Sequence, residues 1–281
     1  MEVLAQPQQA AAWSAERRRK HQRIAFVPTM GALHEGHLSL MRQAREHADV
    51  VVASIFVNPL QFNNKEDLAH YPRQPEQDRQ LLAGAGVDML LMPAGDELLA
   101  DFTPRHYDLG ELDSIWEGAS RPGHFQGVVN VVERLFHYVR PEVALFGEKD
   151  RQQLAVIRQA ARQQHWPIAI VGCPIVRAAD GLALSSRNQR LSPPERQVAP
   201  VLYRALQAMQ QVAARHTVQD TLAAGHRVLA QEPSVVTDYL ALAHPDTLQP
   251  LDGWGLLEEA AALVAAQVGP VRLIDNITIN R

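Results

Sequence analysis

Phe26-Val27-Pro28-Thr29-Met30-Gly31-Ala32-Leu33-His34-Glu35-Gly36-His37 is the stretch whose reading decides the fold of this chain. The apolar run Ile24 to Val27 reads as a short buried strand that breaks at Pro28 and a glycine-bearing turn. A helix follows from about Gly36, with clear helical periodicity from Leu38 to Ala48. His34 and His37 therefore fall at a strand-to-helix corner, where helix-start N–H groups and the helix dipole favour an anion. Two imidazoles placed there add donors that can follow charge moving over a reacting triphosphate. Two other readings stand beside this nucleotide corner. With 12 His in the chain, a His-x-x-His spacing arises readily by chance. A zinc site is the second, although neither a Cys nor a third His lies at ligand spacing nearby.

Outward from this corner, strand and helix signals alternate up to residue 174. Asp49 to Val57 reads as a strand too apolar on both faces for a solvated sheet. A helix near Glu76–Ala83 stops at Gly84-Ala85-Gly86, and Val87–Met92 forms the next strand before Pro93. Val128–Tyr138 has helical spacing, Val143–Phe146 is a short strand, Asp150–Gln163 an amphipathic helix, and Ile168–Val171 a strand ahead of Pro174. Near-continuous apolar strands alternating with helices predict an α/β fold: a Rossmann-like, doubly wound parallel sheet covered on both faces. Ligands of such sheets bind beyond the carboxyl ends of the strands. Three polar clusters fall at predicted strand ends: Pro28 to Gly31, Asn58 to Phe62, and Gly147 to Asp150. Their agreement favours the phosphate-binding reading over chance.

The texture changes after Pro174. Arg177 to Arg190 is rich in turn-formers, and helical stretches follow at about Glu195–Ala214, interrupted or kinked at Pro200, and Val218–Leu229. Val235–Leu242 and Val271–Asn280 read as strands. The expected organisation is a first domain over 1–174 and a second, smaller α+β domain over 175–281.

Composition narrows the function classes. Of 281 residues, 46% are hydrophobic and 21% charged, which is globular, and the net charge of −4 gives no reason to expect nucleic acid or an anionic membrane as partner. The basic run Arg17 to Lys20 sits on a polar helix-like segment and reads as a solvated face. Cys173, the single cysteine, allows no internal disulfide and reads as a buried structural thiol in an apolar strand. No apolar run approaches the ~20 residues of a membrane helix, and a signal-peptide core is lacking, so a cytoplasmic location is expected.

Six segments, in order along the chain, resemble the pantothenate synthetase (pantoate–β-alanine ligase) family, within the nucleotidyltransferase and class I aminoacyl-tRNA synthetase-like superfamily. They are Val27 to His37, Ser54-Ile55-Phe56-Val57-Asn58-Pro59-Leu60-Gln61-Phe62, Glu117-Gly118-Ala119-Ser120-Arg121-Pro122-Gly123-His124-Phe125, Phe146-Gly147-Glu148-Lys149-Asp150, Asp180-Gly181-Leu182-Ala183-Leu184-Ser185-Ser186-Arg187-Asn188, and Arg272-Leu273-Ile274-Asp275-Asn276. The resemblance implies activation of (R)-pantoate by ATP, with Mg²⁺ on the phosphates, to a pantoyl adenylate that β-alanine converts to pantothenate and AMP. It also implies a homodimer.

By the same resemblance, Met30, Gly31, Ala32, Leu33, His34, Glu35, Gly36 and His37 would line the ATP site, with His37 as proton donor and His34 beside it in catalysis. Gly147, Glu148, Lys149, Asp150, Val176, Leu184, Ser185, Ser186 and Arg187 would complete that site, Lys149 acting in catalysis. Gln61 would contact pantoate and β-alanine, and Gln153 pantoate; no protein residue is assigned to the metal. The chemistry asks for these types independently. Carboxylate attack on the α-phosphorus is catalysed mainly by positioning and by stabilising spreading negative charge. Imidazole N–H donors, two fixed cations and short hydroxyls suit that task, and the Ser185-Ser186 stretch lacks the lysine of the synthetase signature, leaving Lys149 and Arg187 to supply charge. Phe62, Met30 and Val129 are candidate apolar walls for pantoate.

Alternatives stay open at several positions. Asn58 holds its turn or touches ligand, Glu148 is a ligand contact or a surface residue, and Asp150 a ligand contact or a helix N-cap. Arg121 and His124 are phosphate contacts or loop residues. Gln126 stands where relatives often carry Arg, and Cys173 where Val is usual. Asn63 to Gln77, polar and bearing Pro72 and Pro75, is expected to act as a flap over an adenylate that water would hydrolyse. The rival functions are adenylyl transfer to a phosphate monoester and a nucleotide-binding module without chemistry.

Overall fold

Alternate residues of one short strand feed two different cores, which is why its sequence runs apolar without a break. Ile24 and Phe26 pack with Val50, Val52, Met89 and Leu91 on one side, while Ala25 and Val27 pack with Val51, Ala53 and Leu90 on the other. The structure, a computed structural model, describes residues 1–63, 65–100 and 102–281. Its first sheet is parallel and six-stranded. The strands β1 (Glu2–Leu4), β2 (Ile24–Thr29), β3 (Val50–Ile55), β4 (Met89–Leu91), β5 (Val143–Gly147) and β6 (Ala169–Cys173) lie in the order β1-β4-β3-β2-β5-β6.

Helix Pro7–Arg19, through Ala10 and Trp13, and helix His124–Val139, through Val128, Val131, Val132, Leu135 and Phe136, belong to the core on one face of the sheet. Helix Glu35–His47, through Leu40, Met41 and Ala44, and helix Pro75–Gly84, through Leu82, belong to the core on the other. Burying one such large side chain is worth about 1.5–3 kcal/mol, so the two-sided covering dominates the stability of this sheet. The chain winds outward from β2 to β3 and β4, then returns to place β5 on the opposite side of β2. The direction of winding thus reverses between β2 and β5, and the carboxyl end of β2 lies at the switch point where α/β sheets bind ligands.

By contact clustering the chain divides into two compact units, Met1–Glu148 with Gln153–Pro174, and Lys149–Gln152 with Ile175–Arg281. The segment Lys149–Gln152, which a boundary at residue 174 would leave in the first unit, groups with the second for a visible reason. Asn276 Nδ2 donates to the Lys149 carbonyl at 2.9 Å, and Arg151 Nη1 donates to Thr278 Oγ1 at 2.9 Å.

The second unit holds an antiparallel sheet in the order β7 (Val235–Ala243), β8 (Glu259–Val268), β9 (Val271–Asn280). Helices Val201–Ala213 and Val218–Leu229 share its core, through Leu202, Leu206 and Met209 and through Val218 and Leu229. The helical stretch expected from Glu195 is interrupted where Pro200 stands, leaving Pro193–Val198 and Val201–Ala213 as separate helices. Among the described residues no helix is long and apolar enough to cross a membrane. Within the expected flap, Lys65–Ala69 is helical and Tyr71 is buried edge-on against Phe62 at 5.8 Å; Asn64 lies outside the described residues.

Candidate active site

The chain leaves β2 through Met30, turns left-handed at Gly31 (φ 81°) and Ala32 (φ 50°), and enters helix Glu35–His47 at His34. A left-handed Ala is strained by about 1–2 kcal/mol, so something must hold it. That group is Asp78, 1% exposed on helix Pro75–Gly84. Its Oδ2 accepts from the Ala32 N–H at 2.9 Å and its Oδ1 from the Leu33 N–H at 2.8 Å. Gly31 is required beside it, because a β-carbon there would stand 3.0 Å from both Asp78 Oδ2 and Ile55 Cγ2. Asp78 lies 45 residues from Leu33, within a polar run with no motif of its own, and sequence reasoning missed it.

The helix start is closed by its own histidines. His34 Nδ1 accepts from the Gly36 N–H at 3.1 Å, and His37 Nδ1 accepts from the His34 N–H at 3.3 Å, a reciprocal cap with ring centroids 4.1 Å apart. A main-chain N–H can only donate, so both Nδ1 atoms carry lone pairs and both rings hold their proton on Nε2. The Gly31 N–H donates to Thr29 Oγ1, those of Ala32 and Leu33 to Asp78, and those of His34 and Gly36 to imidazoles. These backbone amides are thus already engaged within the corner.

Gln61 is oriented by the same logic. Asn58 Oδ1 accepts from the Leu60 N–H at 3.0 Å, which makes its Nδ2 the donor to the Gly127 carbonyl at 3.1 Å and to Gln61 Oε1 at 2.9 Å. Gln61 Nε2 is then the donor end, and it donates to Met30 Sδ at 3.1 Å. Asn58 is thus the holder of its turn. The Gln61 carbonyl accepts from Arg121 Nη2 at 3.2 Å and from His124 Nδ1 at 2.9 Å, so both loop residues brace Gln61. Gly127 lets helix His124–Val139 approach closely enough, since a β-carbon there would sit 2.1 Å from the Leu60 carbonyl oxygen. Gln126 ties Tyr107 to Asp113 and supplies no second cation.

The remaining residues fall in place along the chain. Gly147 ends β5, Glu148 is exposed, and Gln153 lies half-buried in the first turn of helix Arg151–Gln163. Cys173 is fully buried at the end of β6, and burial, aided by the Glu148 carboxylate, pushes its thiol up to about 11. In the second unit, Lys149 is mostly buried, with Nζ 3.5 Å from Asp150 Oδ1. Asp150 sits directly before helix Arg151–Gln163, at the N-cap position. Val176 and Leu184 pair across a hairpin through the Leu184 N–H and the Val176 carbonyl at 3.0 Å. Ser185 then caps the turn Ser186–Arg190, its Oγ accepting from the Arg187 N–H at 3.3 Å, and Ser186 is buried. The structure brings Met30 to Gln61 and His34 to His37 within the first unit, and Val176 to Leu184 and Ser185 to Arg187 within the second.

Compared with known proteins, residues 2–278 match the family model described as pantoate-beta-alanine ligase. A pantothenate synthetase of Thermus thermophilus is 51% identical over 258 residues, covering 91% of this chain and 93% of its own. A crystal structure of pantothenate synthetase from Thermus thermophilus superposes with a TM-score of 0.93 at 48% identity, covering 99% of both chains. A pantoate-beta-alanine ligase from Francisella tularensis, complexed with beta-gamma ATP and beta-alanine, superposes with a TM-score of 0.78 at 34% identity over 99% of this chain and 97% of that one.

Proposed function

This chain belongs to the pantoate–beta-alanine ligase family, and from that premise we propose that it condenses (R)-pantoate with β-alanine at the expense of ATP. The pantoate carboxylate attacks the α-phosphorus, pyrophosphate leaves, and a pantoyl adenylate remains. The β-alanine amine then attacks the acyl carbonyl, forming the amide and expelling AMP.

The observation that carries this reading is the reciprocal cap of His34 and His37, which fixes two imidazoles where the chain leaves the carboxyl end of β2. Charge builds on the phosphate oxygens during α-phosphoryl attack, and donors fixed beforehand stabilise it without reorganising. In this account His37 donates to the reacting phosphate with His34 beside it, and Met30 to Gly36 form the wall along the nucleotide. Gly147, Glu148, Asp150, Val176, Leu184, Ser185 and Ser186 contact ATP, while Lys149 and Arg187 supply fixed positive charge. The Nε2 donor of Gln61, which among the described residues meets only the weak acceptor Met30 Sδ, suits a carboxylate or hydroxyl oxygen, which supports its assignment to pantoate and β-alanine; Gln153 is assigned to pantoate. Mg²⁺, brought with the substrate ATP, would neutralise phosphate charge. The reading carries a cytoplasmic homodimer with it.

Product analysis tests it. Incubation with ATP, Mg²⁺, (R)-pantoate and β-alanine is expected to give pantothenate, AMP and pyrophosphate in equal amounts. An adenylyl group retained on a phosphate monoester, with no pantothenate formed, would assign the chain to adenylyl transfer, and binding without turnover would make it a regulatory module.

A further inference from the structure

The stretch Arg272-Leu273-Ile274-Asp275-Asn276 on β9 is assigned no substrate above, yet it holds a buried ion pair engaged on several sides in the second unit. Asp275 is 4% exposed and binds Arg177 through both carboxylate oxygens, Oδ2 accepting from Nη1 at 2.6 Å and Oδ1 from Nη2 at 2.9 Å. The guanidinium donates further to the Gly181 carbonyl and the Asn276 carbonyl, each at 3.1 Å, and lies over the Tyr203 ring with 3.9 Å to its centroid. Arg177 pairs with Ala183 across the hairpin that leads directly into Leu184 to Arg187. Asp275 therefore fixes the approach to that segment from β9.

The next residue reaches a different segment. Asp275 Oδ1 also accepts from the Asn276 N–H at 2.7 Å, which sets the Asn276 backbone, and Asn276 Nδ2 donates to the Lys149 carbonyl at 2.9 Å. Two consecutive residues of one strand thus grip two segments that are distant from each other in sequence. Both segments carry the cations, Lys149 and Arg187, assigned above to ATP. A bidentate, stacked guanidinium has far less freedom than an exposed ion pair, so it can hold a register that loops alone would not.

Resting on that reading of the ATP site, we propose that Asp275 and Asn276 are positioning residues: Asp275, through Arg177, sets the segment ending at Arg187, and Asn276 sets Lys149. Neither touches substrate. Their effect on ATP is exerted entirely through the two cations.

The test is a double-mutant cycle read by ATP affinity in calorimetry, with thermal unfolding measured alongside. Asn276→Ala leaves both partners of the Arg177–Asp275 pair in place and removes the donor to Lys149. It is expected to weaken ATP binding about tenfold, within the range of couplings between contacting residues. Pantoate affinity should change less than about twofold on the same scale. In a Lys149→Ala background the same substitution should change ATP affinity less than about twofold, because its route of action is already gone. If Asn276→Ala does not fold, the isosteric Asn276→Asp, which also lacks the donor, takes its place. Unchanged ATP affinity in the folded variant overturns the proposal, as does an equal loss with and without Lys149. Wild-type protein that binds no ATP overturns the functional reading instead, which separates the two failures.

Discussion

His34 and His37 cap one another: the His34 N–H donates to His37 Nδ1 at 3.3 Å while His34 Nδ1 serves the Gly36 N–H at 3.1 Å. One pair of rings thereby closes the helix with Nδ1, and the proposed function gives the same rings a second job at the reacting phosphate. The jobs separate by substitution. Asn is among the best N-caps, so His34→Asn should leave the unfolding midpoint within a few degrees while lowering kcat/KM. His37→Ala should cost about 1 kcal/mol of stability from the lost cap and about 3–4 kcal/mol of transition-state stabilisation, read as a fall in kcat of ~10²–10³. A folded His37→Ala protein with near-normal turnover would remove His37 from the chemistry.

Asp78 should be felt in both stability and activity. Asp78→Ala strips the acceptors from two N–H groups in a strained turn, at about 1–3 kcal/mol for each buried donor left unsatisfied. The released loop would also shift Met30 and His34 relative to Gln61. Denaturant unfolding together with the KM for ATP checks this; a variant as stable and active as wild type would show that the loop keeps its shape without Asp78.

How much of this was legible in the sequence depends on the range of the interaction. The apolar strands and the His34–His37 corner could be read because their signals are local and periodic. Strand β8 was missed because Ala260-Ala261-Ala262-Leu263-Val264-Ala265-Ala266 carries little β-branching and no alternation. Its Ala-rich composition follows from its place as the central strand, packed between two neighbours and buried over most of its length. Asp78 escaped for a different reason, and so did the bracing of Gln61 by Arg121 and His124, which the sequence singled out only as phosphate contacts or loop residues: each acts on backbone groups distant in sequence, and nothing local marks such a contact. The amides of Ala32, Leu33, His34 and Gly36 at that corner are likewise engaged by side chains, those of Asp78 and the two imidazoles.

Cys173 gives a pH signature without a role in catalysis. Its thiol titrates near 9.0 ordinarily and is pushed to about 11 in the fold by burial, then by Glu148. The folded state therefore holds the proton more tightly than the unfolded chain. The resulting stability is fully present below pH 9.0 and is lost as pH rises from there through about 11. Cys173→Val should retain activity and flatten the alkaline fall in Tm, and iodoacetamide should leave native Cys173 unmodified at about pH 8. Rapid alkylation of the native protein, or a large rate loss in the Val variant at unchanged Tm, would contradict the buried-thiol reading.

On the proposed function one site adenylylates pantoate without needing the amine, and isotope exchange tests this most directly. Attack on the α-phosphorus needs only the pantoate carboxylate, so labelled pyrophosphate should exchange into ATP with pantoate and Mg²⁺ present and β-alanine absent. Gln153→Ala should weaken that exchange by raising the pantoate requirement, whereas Gln61→Ala should damage both the exchange and the later transfer to β-alanine. Exchange that strictly requires β-alanine, or that runs equally well with a phosphate monoester in place of pantoate, would contradict the account.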